Sequence, residues 1–293
     1  MYSAIAANKR NTVIIMAVFI AAVGAIGWAV SYVMYGNSSI AGWVIGGAAV
    51  YALIQYFLAS KLAIMTTGAK EIRKSDNPRL YRIVENLSIA TGMPMPKVYM
   101  IDDPAPNAFA TGRDPKHAVV AATTGIMDIM SDRELEAVMA HEMGHVRNYD
   151  IRVSMIAFGL VSAIGILSDI AMHMFFFGGD DRRENVNPIM LVVGIILIIL
   201  APIIAALIQM AISRQREYLA DATGALTTRD SEGLASALEK LAAHSRPMQR
   251  QSSSTAHLFF ANPLKSGFFS NIFSTHPPLE ARIKRLRENA NKF

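Results

Sequence analysis

The sequence predicts a mainly α, integral membrane chain: four transmembrane helices joined to a polar α+β domain with a small edge-stranded sheet. Three observations carry this. Apolar residues make up 52% of the 293 and charged residues only 17%, against about 25% in soluble domains. No charged residue occurs from Asn11 to Ser60, and two further apolar segments follow after residue 152. The polar segments between and after them carry strand and amphipathic-helix patterns.

The elements follow in chain order. Gly36-Asn37-Ser38-Ser39 reads as a turn dividing residues 11–60 into spans of about 12–34 and 40–58. Each is near the ~20 residues a helix needs to cross the hydrocarbon core, so together they make a transmembrane hairpin. A cleaved signal peptide would have a shorter apolar region and no second segment behind it. Residues 61–152 form the first polar segment. Asn77–Gly92 reads as an amphipathic helix with Leu80, Ile83, Val84 and Leu87 on one side. Lys97–Ile101, Ala108–Thr111 and Ala118–Thr123 read as short strands, with Gly112–Pro115 turning the second into the third. Ser131 and Glu134 form a capping box that opens the next helix.

Residues 153–212 hold the second pair of apolar segments, Val153–Phe177 and Pro188–Ile212, linked by a short charged stretch. They read as a second transmembrane or membrane-embedded hairpin. A buried core hairpin is the alternative, because Asp169 and His173 lie in the third segment. Residues 213–293 form the second polar segment. Gln249–Ser254 is polar, Phe259–Phe273 is aromatic, and Pro277–Asn289 is a helix with Leu279, Ile283 and Leu286 on one face. Lys and Arg collect beside both termini and the polar segments, which places those in the cytoplasm. The same loops account for a net charge of +5, and no basic stripe with interleaved aromatics points to nucleic acid.

Without cysteine, disulfides, thiolate nucleophiles and Cys-held metals are excluded, so any metal must sit on His, Asp or Glu. His141-Glu142-Met143-Gly144-His145 lies on the helix opened by Ser131. Positions i and i+4 share a helix face, so both imidazoles can bind one Zn²⁺. Glu142 can then reach a water activated by the metal, take its proton and return it to a leaving amine. A catalytic zinc needs a third protein ligand and an open position. Glu217 is the candidate, with Asp221 four residues on and able to accept the ring N–H of a histidine ligand.

Asn107–Gly112, His141–His145, Ser213–Glu217 through Asp221, and Ser274-Thr275-His276-Pro277-Pro278 occur in an order that resembles the HtpX-type membrane zinc metalloproteases, relatives of the CAAX prenyl endopeptidases. The resemblance covers essentially the whole chain. It implies a zincin-like protease domain with one Zn²⁺ per chain, ligated by His141, His145 and Glu217. It implies Glu142 as general base, Asp221 behind His141, and His276 stabilising the developing oxyanion. His276 is otherwise a residue that opens a helix before two prolines. Asn107, Ala108, Phe109, Ala110 and Thr111 resemble an edge strand that holds substrate by strand addition. The resemblance also implies stress-linked quality control, cutting misfolded or damaged membrane proteins on the cytoplasmic side of the bacterial plasma (inner) membrane.

Three rivals remain at this point. A zinc transporter would place its ligands within the spans, and an inactive scaffold would lack a ligand or the base. A prenyl-protein peptidase would have more spans around a larger chamber.

Overall fold

In a computed structural model, the structure describes residues 2–157, 159–160, 163, 214–250, 258–261 and 277–292. The third and fourth apolar segments beyond residue 163, with Asp169 and His173, lie outside the described residues, as do His276 and the aromatics Phe268, Phe269 and Phe273. The chain divides into two compact units. Met1–Lys9, Ser60–Met155 and Ile212–Phe293 form one, and Arg10–Ala59 with Ile156–Ala211 form the other.

The second unit holds most of two long helices, α1 (Tyr2–Tyr35) and α2 (Ala41–Thr67). Both are long and apolar enough to cross a bilayer, over Ile5–Trp28 and Ala41–Thr67. Their surfaces are inverted relative to a soluble hairpin. Val13, Val18, Trp28, Trp43, Val50, Leu53 and Phe57 are exposed, while Ala48, Ala52 and Ala59 are buried. Small residues set the close approach: a methyl at Gly24 would meet Ile45 at 2.7 Å, and one at Gly27 would meet Val44 at 2.5 Å. Lipid offers no hydrophobic force between helices, so close backbone packing must supply it. Both helices run beyond the spans expected from hydropathy. α1 begins ten residues before Thr12, and α2 continues past Leu58, because polar residues extend a helix without adding to its apolar length.

The first unit is built on a sheet of β1 (Lys70–Glu71), β2 (Lys97–Ile101), β3 (Ala108–Thr111) and β4 (Val119–Thr123), in the order β1-β2-β4-β3. β2 and β4 are parallel, and β3 pairs antiparallel with β4 at the end of the sheet. The short β1, which the sequence pattern did not suggest, pairs with β2. Helix α3 (Pro78–Thr91) starts on Asn77, whose side chain accepts from the Leu80 N–H, and ends on Gly92 at φ 65°, where a side chain would be strained. Its Leu80, Val84 and Leu87 enter the core. A short α4 (Thr124–Ile129) leads to α5 (Asp132–Arg147), which carries the Ser131–Glu134 capping box. Helices α6 (Arg214–Thr228), α7 (Ser231–Ala243) and α8 (Leu279–Glu288) complete the unit. α5 lies at its centre, with Leu135, Val138, Met139 and Met143 in the core shared with α3, α7 and β4.

Candidate metal centre and active site

α5 brings His141 and His145 onto one face, as the 3.6-residue period requires. α6 packs along α5 and places Glu217 opposite them. Two glycines permit this approach. Gly144 faces Ala220 and Thr223, and a methyl at Gly224 would lie 3.0 Å from the His141 backbone nitrogen. The Nε2 atoms of the two histidines are 3.1 Å apart. Glu217 Oε1 is 3.4 Å from His145 Nε2, and Glu217 Oε2 is 3.8 Å from His141 Nε2. Bonds of about 2.0–2.2 Å at tetrahedral angles put zinc ligand atoms roughly 3.3–3.5 Å apart. With one oxygen taken from Glu217, the three donor atoms lie within 4.8 Å of one another, close enough for a small inward shift to close them on a single zinc ion.

Each histidine is aimed from behind. His141 Nδ1–H donates to Asp221 Oδ1 at 2.9 Å, and His145 Nδ1–H donates to Asp150 Oδ2 at 3.0 Å. Both rings are thereby held with Nε2 turned toward the position a metal would take. Burial lowers the His141 pKa to about 4, which keeps that ring neutral as a ligand must be. His145 is buried too, but its bonds to Asp150 and Glu217 raise its pKa well above the ordinary value.

Glu142 is buried and accepts from the Ala110 backbone N–H of β3. Burial raises its carboxyl to about 7, the range in which a group can take and return a proton near neutrality.

Sequence reasoning missed three contributors. Arg282 of α8 is fully buried and donates to both oxygens of Asp221, at 2.9 and 2.7 Å. Its Nη1 is 3.4 Å from Glu217 Oε2. One guanidinium thus balances two buried carboxylates. Its signal was present, because Arg282 falls on the Leu279–Ile283–Leu286 stripe, where a charge is out of place unless it is paired. Asp150 sits at the corner after α5 and had no pattern to mark it. Phe260 packs edge-on against the His141 ring, with centroids 4.8 Å apart, and beneath the Arg282 guanidinium.

Asn107–Thr111 is buried throughout. The outward side of β3 carries a segment of the same chain. Phe260 N–H donates to Ala108 O at 2.8 Å, Phe259 bridges Phe109 antiparallel, and the Asn107 side chain exchanges two hydrogen bonds with the Ala261 backbone.

Two helices long and apolar enough to cross a membrane, together with an HExxH helix and a third carboxylate donor, define a membrane metalloendopeptidase. The sequence profile of Peptidase family M48 matches residues 74–290, and the chain belongs to that family. Full-length similarity supports the assignment. The chain is 57% identical over 293 residues to "Protease HtpX homolog" of Tropheryma whipplei (strain Twist), covering 100% of both chains. It is 45% identical over 294 residues to the protein of the same description from Ligilactobacillus salivarius (strain UCC118), covering 98% of this chain and 99% of that one. The crystal structure of S. mikatae Ste24p shares the fold, with TM-score 0.51 at 17% identity over 98% of this chain and 67% of that one.

Proposed function

We propose that this chain is a zinc-dependent endopeptidase that cuts misfolded or damaged membrane proteins at the cytoplasmic face of a bacterial inner membrane. The observation that carries the chemistry is the convergence of His141 Nε2, His145 Nε2 and Glu217 beside a buried carboxyl, Glu142, with a pKa of about 7. When bound, zinc supplies Lewis acidity at the scissile carbonyl. Glu142 takes the proton of the attacking water and passes it to the leaving amine. Asp221 and Asp150 hold the histidines in the ligating tautomer. His276, on the segment leading into α8, is assigned to stabilise the oxyanion.

Substrate is held in extended form along Asn107–Thr111. The chain's own Phe260 already uses the Ala108 carbonyl, so a substrate strand reaching Ala108 takes over that bond. The layout proposed is a hairpin at 11–60, protease segments at 61–152 and 213–293, and a second hairpin at 153–212, making four spans. The clustering of Lys and Arg beside the polar segments supports their cytoplasmic side. The proteolytic name of the full-length relatives supports protein substrates, and the role in stress-linked quality control is the one the family resemblance implies.

The test is purification in mild detergent with a chelator, then addition of Zn²⁺ and casein, beside Glu142→Gln. Zinc-dependent cleavage by the parent, lost in the variant while zinc still binds, is the expected result. Equal cleavage by both chains removes Glu142 from the chemistry. Zinc binding with no cleavage of any protein offered refutes the peptidase assignment.

A further inference from the structure

We infer that Asn8, near the start of the first membrane helix, is a positioning residue for the metal ligand His145, acting through Asp150. This rests on the metal reading of the site given above.

Asp150 is buried, and its two oxygens are divided between two partners. Oδ2 accepts from His145 Nδ1–H at 3.0 Å, and Oδ1 accepts from Asn8 Nδ2–H at 2.6 Å. The second amide hydrogen of Asn8 goes to the Asn148 carbonyl at 2.8 Å. Asn8 therefore ties together both ends of the three-residue corner that follows α5. That corner is a backbone outlier: Tyr149 sits at φ 62°, a left-handed conformation that is strained for a residue with a bulky side chain. Such a conformation persists only where the surroundings enforce it. Lys9, beside Asn8, places its ammonium over the Tyr149 ring at 4.8 Å, and Arg152 stacks at 4.8 Å as well. The corner is thus gripped by two consecutive residues of α1, and what it delivers is the carboxylate behind His145.

The two histidines are supported by unlike partners. Asp221, behind His141, is held by the buried cation Arg282. Asp150, behind His145, is held at hydrogen-bond distance by a neutral amide, with Arg216 Nε more distant at 3.8 Å. The Asn8 amide orients the carboxylate without adding a charge of its own, and the Arg216 guanidinium supplies the more distant positive charge. Partners behind metal ligands typically change metal affinity 10–100-fold when removed. Asn8 is one bond further back, which places its expected effect near the lower end. On this reading the metal centre depends on the seating of the N-terminal end of α1, where Asn8 lies near the start of the first candidate span, Ile5–Trp28.

The test uses the full chain in detergent, loaded with Co²⁺ in place of zinc, and compares the parent with Asn8→Ala and Asn8→Asp. Alanine favours helix, so Asn8→Ala leaves α1 intact while removing the amide. Asn8→Asp keeps the size but sets a carboxylate against Asp150. Expected for Asn8→Ala is a roughly tenfold loss of Co²⁺ and Zn²⁺ affinity by chelator competition, a shifted Co²⁺ visible band, and a lower kcat at unchanged KM. Asn8→Asp loses more. Parent-like affinity and band in both variants overturn the proposal, even if activity falls for another reason. A parent that binds no Co²⁺ overturns the metal reading, and this proposal with it.

Discussion

Replacing Arg282 with methionine probes how the site tolerates its own charge. Arg282 is fully buried, and its guanidinium contacts Asp221 at 2.7 and 2.9 Å and Glu217 at 3.4 Å. Both carboxylates are themselves buried, at 3% and 8% exposure, so water cannot replace the lost cation. Removing one partner of a buried pair costs about 3–5 kcal/mol, because the other charge is stranded. Methionine fills much of the arginine stem's volume, which keeps the packing loss small. The metal-free Arg282→Met chain should therefore unfold about 3–5 kcal/mol more easily. Zinc brings two positive charges to Glu217 and, through His141, relieves Asp221. Saturating zinc should accordingly recover part of the loss, and the variant should gain more stability from the metal than the parent does. The assay is denaturant unfolding in detergent with and without Zn²⁺, followed by near-ultraviolet circular dichroism. Equal stability of the two metal-free chains, or an identical gain from zinc, would refute the reasoning.

Glu134 should give an acid-sensitive contribution. Burial alone would raise its pKa, but bonds from Lys240, Ser236 and Ser131 outweigh that and hold it at about 2. Because the folded value lies below the ordinary 4.5, its stabilisation is present above pH 4.5 and is lost as pH falls toward 2. That is about 3 kcal/mol at most, and Glu134→Gln should flatten this limb of the stability–pH curve. Zinc affinity should drop as the medium is acidified, since His145 is protonated in the metal-free site with its pKa raised by Asp150 and Glu217. Calorimetry in two buffers of different ionisation enthalpy should register proton release on zinc binding, and none would contradict that state of His145. Gly224→Val would press a side chain onto the His141 backbone, 3.0 Å from its nitrogen and 3.1 Å from its Cα. A loss of about 1–3 kcal/mol and weaker zinc binding are expected, checked by thermal unfolding and chelator competition.

Local patterns carried far in this chain where one period or one cap decides the structure. The long uncharged tract reads as membrane helices because lipid admits nothing else, and α1 and α2 have that composition and length. The strands Lys97–Ile101 and Ala108–Thr111, the capping box at Ser131 and the tail helix are written in nearest-neighbour terms, and they fold with those bounds or within a residue or two. The pairing of His141 with His145 follows from helix geometry alone. Other features depend on segments far apart in sequence, which no local period encodes. Arg282 reaches Asp221 across 61 positions, Phe260 covers β3 from beyond residue 250, and Asn8 meets Asp150 across 142. A strand of two residues such as β1 has no period to read. Residue type and spacing mark the groups that can do the chemistry, but burial and neighbouring charge set their protonation, and those exist only once the distant segments have packed around α5.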